Sequence, residues 1–136
     1  MKAVFADTFY WIALSDPSDA RYRDALAVES TLAGARILTT EEVLSEFLTF
    51  FAADPRWRAR ASRAVQGLFQ TPDVYIVRQS HESFLSGLDL YANRLDKGYS
   101  LADCISMQTM RREGMTDVLT NDRHFEQEGF RALFRS

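Results

Sequence analysis

The 136-residue chain has one cysteine, two histidines, three prolines and, among its sixteen basic residues, only two lysines. A single cysteine, Cys104, excludes a disulfide framework or a cysteine zinc site within one chain, and makes a reducing cytoplasm the expected compartment. Two histidines, His81 and His124, are too few for a histidine metal site. No apolar run approaches the roughly 18 residues of a membrane span. Asp7 interrupts the first apolar stretch after a single lysine, so no signal peptide and no membrane association are expected. There is no G-x-S-x-G elbow and no P-loop. Position 9 is Phe, where a haloacid-dehalogenase-type phosphatase would need a second Asp after Asp7. The net charge is only −3, which argues mildly against nonspecific nucleic-acid binding by the chain as a whole.

What is present is ordinary globular composition, 46% hydrophobic and 26% charged, in a length that suits one domain with its own core. Short apolar runs of strand length alternate with longer helical patterns. Strands are predicted at 2–6, 36–38, 74–77 and 117–120, with a weak last strand at 130–134. Helices are predicted at 8–14, at about 20–33 up to Gly34, at about 40–53, at about 56–69 and at about 80–95. A sixth runs from Leu101, through the arginines Arg111 and Arg112, to Gly114. Tyr22, Leu26 and Val28 are expected to face inward at least in part. Val43, Leu44, Phe47, Leu48, Phe50 and Phe51 fill a broad apolar arc, and Phe84, Leu85, Leu88 and Tyr91 recur at helical spacing. This alternation predicts parallel βαβ units with right-handed crossovers, so helices on both faces of the sheet. Ligands of such sheets bind beyond the carboxyl ends of the strands, where Asp7 and Asp122 lie.

Acids are the chemically informative residues. Asp7 follows one apolar strand and precedes an apolar helix; it is either an N-cap or an enclosed ligand. Glu41 and Glu42 fall in the first turn of their helix, where the helix dipole and a capping box from Thr39 account for them. Glu46 is mid-helix beside the apolar arc and is the better functional candidate. Asp103 stands three residues after the N-cap candidate Ser100, as half of a capping box or as a ligand. Asp122 ends the fourth strand, as an Asx-turn or as a ligand. Several carboxylates brought together would repel and hold their protons. The chain offers no lysine cluster to neutralise them, whereas a hard divalent cation would. Oxygen-only donors favour Mg²⁺ or Mn²⁺, which can activate water and clamp a phosphodiester oxygen.

Four segments carry a resemblance: VFADTFYWIAL, TTEEVLSEFLTFF, DKGYSLADCISMQTMRREG and VLTNDRHFEQEGF. Together they resemble the PIN-domain nucleases, specifically the VapC-type toxins of prokaryotic toxin–antitoxin pairs. They cover about half the chain, in the family's order. The resemblance implies a three-layer α/β/α sandwich with a parallel sheet of about five strands. It implies a Mg²⁺- or Mn²⁺-dependent endoribonuclease, with the family's acids falling on Asp7, Glu46, Asp103 and Asp122 as catalytic metal ligands. Thr120 and Asn121 match the motif that supports them. It implies an antitoxin partner and a homodimer. A PIN-like domain that binds RNA or a protein without cleaving is the alternative, and the intact acids argue against it. Arg56, Arg58, Arg60 and Arg63 surround Trp57. That patch would suit RNA, through phosphate pairing and base stacking, or would be a solvated helix face with Trp57 in the core. Arg111, Arg112 and Arg123 lie near the acidic segments and could also meet phosphate.

Overall fold

A computed structural model describes residues 2–135. Five short strands, β1 (Ala3–Ala6), β2 (Arg36–Thr40), β3 (Val74–Val77), β4 (Asp117–Leu119) and β5 (Arg131–Ala132), form one all-parallel sheet in the order β3-β2-β1-β4-β5. The helices are α1 (Thr8–Ser15), α2 (Tyr22–Ser30), α3 (Glu41–Phe50), α4 (Pro55–Leu68), α5 (His81–Ala92), α6 (Leu101–Arg112) and α7 (Arg123–Gln127). The architecture is the three-layer α/β/α sandwich. β1 lies at the centre, paired with β2 on one side and β4 on the other. The chain therefore reverses its winding between β1 and β4, and the crevice of an open α/β sheet opens there. Among the described residues no helix is long and apolar enough to cross a membrane.

Central strands of a parallel sheet are covered on both faces and carry apolar residues without alternation. Val4, Phe5 and Ala6 of β1, and Val118 and Leu119 of β4, are fully buried. Tyr10, Val43, Phe47, Met107, Met110 and Phe125 close over them from the helices. α6 is buried along most of its length because Cys104, Ile105, Ser106, Met107, Thr109 and Met110 present apolar or small side chains on several sides, and both of its ends are capped. Ser100 and Asp103 form a reciprocal capping box at its start. At its end Gly114 takes φ +66, Met115 N–H donates to Met110 O (2.8 Å) and Gly114 N–H to Arg111 O (3.2 Å). Those two bonds are the Schellman pair that satisfies the last carbonyls.

Several expectations need correction. Thr40, not Thr39, caps α3, accepting from Val43 N–H (3.1 Å). The Thr39 hydroxyl is buried and donates to Ala6 O (2.9 Å), so it ties β2 to β1. Leu26, Leu48 and Phe50 are exposed, because α2 and α3 bury narrower stripes than their apolar residues could cover. The stripe on α5 is also outside: Phe84, Leu85, Leu88 and Tyr91 are all exposed. α5 instead packs on α6 through Ser83, Gly87 and Leu90. A Cβ on Gly87 would collide with the Ile105 side chain, so only the small side of α5 admits that approach. The last strand is just Arg131–Ala132, and α7, for which the sequence gives no separate helical pattern, precedes it.

Candidate active site

β1 ends at Ala6 and α1 begins at Thr8, which leaves Asp7 in the N-cap position. Its side chain does not cap. The Asp7 carbonyl accepts from Tyr10 N–H (3.0 Å), while the carboxylate accepts from the Thr120 hydroxyl (2.8 Å) across the β1–β4 crevice. Only 8% of Asp7 is exposed. Burial pushes its pKa up to about 7; the Thr120 hydroxyl opposes the rise, and the nearby charges of Asp103 and Glu46 add to it. A carboxyl in that position binds a proton or a cation at neutral pH, because leaving it bare is costly.

Asp103 serves as cap and site together. Asp103 N–H donates to Ser100 Oγ (3.0 Å), and Asp103 Oδ2 receives Ser100 N–H at 3.4 Å. Its pKa is also raised, by burial first and then by the Asp122 charge, with a further contribution from Glu46. Glu46 stands exposed on α3, where its Oε1 accepts from the Thr8 hydroxyl (2.7 Å). Asp7, Glu46 and Asp103 line one groove of about 460 Å³, together with Thr8, Ser45 and the exposed Phe50.

Asp122 adjoins this groove from the Asp103 side. It is the N-cap of α7, its Oδ1 accepting from His124 N–H (2.9 Å). The same turn folds the His124 ring back toward the acids. Nδ1 lies 3.4 Å from Asp122 Oδ1 and 3.8 Å from Asp103 Oδ2. That nitrogen is buried and has no hydrogen-bond partner. Donor atoms of Asp103, Asp122 and His124 all lie within 4.8 Å of one another. Asp103, Asp122 and His124, with Asp7 and Glu46 in the adjoining groove, offer the oxygen and nitrogen donors that could hold a divalent cation.

The family model for the PIN domain matches residues 4–130, nearly the whole chain. The chain belongs to the PIN-domain family. A curated relative is the 23S rRNA-specific endonuclease VapC20 of Mycobacterium tuberculosis. It is 24% identical over 127 residues, which span 93% of this chain and 95% of that protein. Its crystal structure, described as a Sarcin-Ricin loop cleaving toxin, superposes with a TM-score of 0.83 at 23% identity, over 93% and 95% of the two chains. The DNA-bound VapBC structure from Salmonella typhimurium superposes with a TM-score of 0.67 at 17% identity, covering 97% of each.

Of the four acids singled out from sequence, Asp7, Glu46 and Asp103 line the groove and Asp122 lies beside Asp103. Thr120 stands behind Asp7, and its oxygen also accepts Asp122 N–H (3.2 Å). Asn121 is exposed, its carbonyl faces Arg135 (3.4 Å), and its side chain makes no hydrogen bond to the four acids. Trp57 is partly buried and stacked on Phe51, with ring centroids 4.8 Å apart, and the Arg60 guanidinium lies over it at 5.1 Å. Its contacts are thus internal, which is the packing alternative for that residue. Arg56, Arg58, Arg60, Arg63 and Arg123 remain exposed. Arg111 instead pairs with the nearly enclosed Glu128, alongside Arg94. Two residues of the site are not evident from sequence. Thr8 gives no signal beyond its place after Asp7, and a chain with only two histidines does not point to His124. The Asp122-x-His124 spacing at a helix start is the available clue.

Proposed function

We propose that this PIN domain is a metal-dependent endoribonuclease, the toxin of a toxin–antitoxin pair. The observation that carries the reading is the convergence of Asp7, Glu46 and Asp103 on one groove, with Asp7 enclosed and its carboxyl held near neutrality. A divalent cation, Mg²⁺ or Mn²⁺, bound there supplies charge neutralisation, a clamp on a phosphodiester oxygen and an acidified water. Asp7, Glu46 and Asp103 would hold it, with Asp122 alongside Asp103. The chain's own groups prepare the site. Thr120 aims the Asp7 carboxylate, Thr8 aims that of Glu46, and the capping box fixes Asp103 on α6. The exposed arginines, Arg123 beside Asp122 and Arg56 and Arg60 on α4, would meet the phosphates of an RNA strand.

The VapC and VapBC relatives support an RNA substrate and an antitoxin partner. The exposed apolar residues Phe84, Leu85, Leu88 and Tyr91 give that partner, or a second copy in a homodimer, a face to cover. A cytoplasmic location follows from the same reading. Ribosomal RNA is the first substrate to offer, since the relative is named for it. Purified protein with Mn²⁺ or Mg²⁺ is incubated with ribosomes and total RNA, and new RNA ends are mapped. Discrete ends that vanish with EDTA and in Asp103→Asn are expected. Cleavage that persists in EDTA, or none with either metal from a folded protein, would sink the proposal.

A further inference from the structure

His124 is the residue near the site that neither the family's four acids nor the packing of the core explains. Its ring is held rather than free. Tyr99, itself buried, lies against it with ring centroids 5.1 Å apart, and Tyr99 is in turn tied to Glu128 by its hydroxyl (2.9 Å). The backbone N–H of His124 is fixed by Asp122. The imidazole therefore lies against Tyr99 on a backbone fixed by the helix-start turn, with Nδ1 between two carboxylates. At 3.4 Å and 3.8 Å it is too far from either for a good hydrogen bond. A buried polar atom left without a partner is costly, and such an atom in a native site calls for a missing ion or water. In an octahedral shell with bonds of about 2.1 Å, neighbouring ligands lie roughly 3 Å and opposite ligands roughly 4.2 Å apart; the 3.4 Å and 3.8 Å separations fall between the two.

We infer that His124 Nδ1 is a metal ligand, forming with Asp103 and Asp122 a nitrogen-bearing cation position beside the acidic groove that selects Mn²⁺ and similar transition ions over Mg²⁺. The inference rests on the metal-nuclease reading and goes further than it. Mg²⁺ prefers carboxylate and water, whereas imidazole suits first-row transition ions, so one nitrogen shifts the preference of an otherwise all-oxygen site. Asp103 belongs to both clusters, which joins the position to the groove. A lone pair on Nδ1 requires the proton to be on Nε2.

Pulsed electron paramagnetic resonance on the Mn²⁺-loaded full chain reads the bond directly, because a coordinated imidazole nitrogen modulates the spin echo. The His81→Asn variant leaves His124 as the sole imidazole. Nitrogen modulation is expected in wild type and in His81→Asn, and its loss is expected in His124→Asn, whose amide can place an oxygen near the Nδ1 position. By calorimetry the Mn²⁺-to-Mg²⁺ affinity ratio should fall about tenfold or more in His124→Asn, at least what removal of an outer-shell partner costs. Mn²⁺ bound without nitrogen modulation in wild type and His81→Asn would overturn the inference while leaving the metal-nuclease reading intact. No Mn²⁺ binding at all would overturn both. Should His124→Asn fail to fold, the His81→Asn spectrum decides alone.

Discussion

On the inner side of the site Asp7 is enclosed, held by the buried hydroxyl of Thr120 and flanked by core residues of β1 and β4. Across the groove Glu46 stands in solvent and is steered by Thr8 at the start of α1. Both are carboxylates with one threonine hydroxyl each, at nearly equal distances. Asp7 is cut off from water, and that burial raises its pKa strongly. The hydroxyl sets where a carboxylate points; burial sets how strongly it demands a counter-charge. An enclosed acid makes a site that wants a cation, and an open acid leaves room for substrate to reach that cation.

The largest effect is expected at Asp103, which both sides share. Asp103→Asn keeps the capping geometry and loses the charge. The variant should fold and lose at least about 100-fold in cleavage, the upper end of what loss of an outer-shell partner alone costs. Its stabilisation by Mn²⁺ should shrink in parallel melting curves. Normal cleavage and normal metal response would remove Asp103 from the site and leave it a cap.

Next comes the inner side. In metal-free protein the Asp7 pKa rises on folding from 3.8 to about 7. The folded state then binds more protons than the unfolded chain between those values, so stability is full below about pH 4 and falls as pH rises through 7. The loss is at most on the order of 4–5 kcal/mol, at about 1.4 kcal/mol for each pH unit between the two values. Asp7→Asn should flatten that fall and be the more stable protein at pH 8 without metal, read by urea melts across pH. Wild-type stability independent of pH from 4 to 8 would contradict the enclosure of this carboxyl. Glu128 works in the opposite direction at the acid end. Burial alone would raise its pKa, but hydrogen bonds from Arg94, Arg111 and Tyr99 outweigh it and hold the carboxyl near 2. Its contribution is present above about pH 4.5 and is lost as pH falls toward 2.

Thr120→Val, which removes the inner hydroxyl at nearly constant volume, should cost about 1–3 kcal/mol, since it leaves a buried acceptor unpaired. It should also raise the Asp7 pKa further and shift metal-dependent cleavage to higher pH. Thr8→Val on the open side should cost no more than about 1 kcal/mol, because water replaces the lost donor. Equal costs at the two threonines would erase the contrast between the sides. Smallest of all is Glu42→Gln. A charge in the first helical turn is worth about 1 kcal/mol or less, and cleavage should be nearly intact, whereas Glu46→Gln should damage it. The reverse ranking in an RNA cleavage assay would name the wrong glutamate.

Local features are legible in the sequence because they depend on residues a few positions apart. The Ser100–Asp103 capping box, the Gly114 stop and the apolar strands around Asp7 and Asp122 are set by backbone geometry and short-range hydrogen bonding. The four family segments mark the acids as one set. Their meeting in space, though not their roles, is what the fold displays. Less can be read where two elements compete for the same surface. Thr39 and Thr40 are equally good caps by composition, and pairing of β2 with β1 chose Thr40 by engaging the Thr39 hydroxyl elsewhere. Phe84, Leu85, Leu88 and Tyr91 have core spacing, yet Gly87 lets the opposite side of α5 come closer to α6.

The sequence by itself determined the alternation of strands and helices and the Ser100–Asp103 capping box, because each is written in neighbouring residues. Only the tertiary structure decided which acid is enclosed, which hydroxyl serves it, and that His124 turns back between Asp103 and Asp122. Those outcomes arise where β1 and β4 meet and α6 and α7 close over them. Asp7 and Thr120, which meet there, are 113 positions apart in the chain. Burial and contact at such a junction are properties of the packed sheet, and no local pattern carries them.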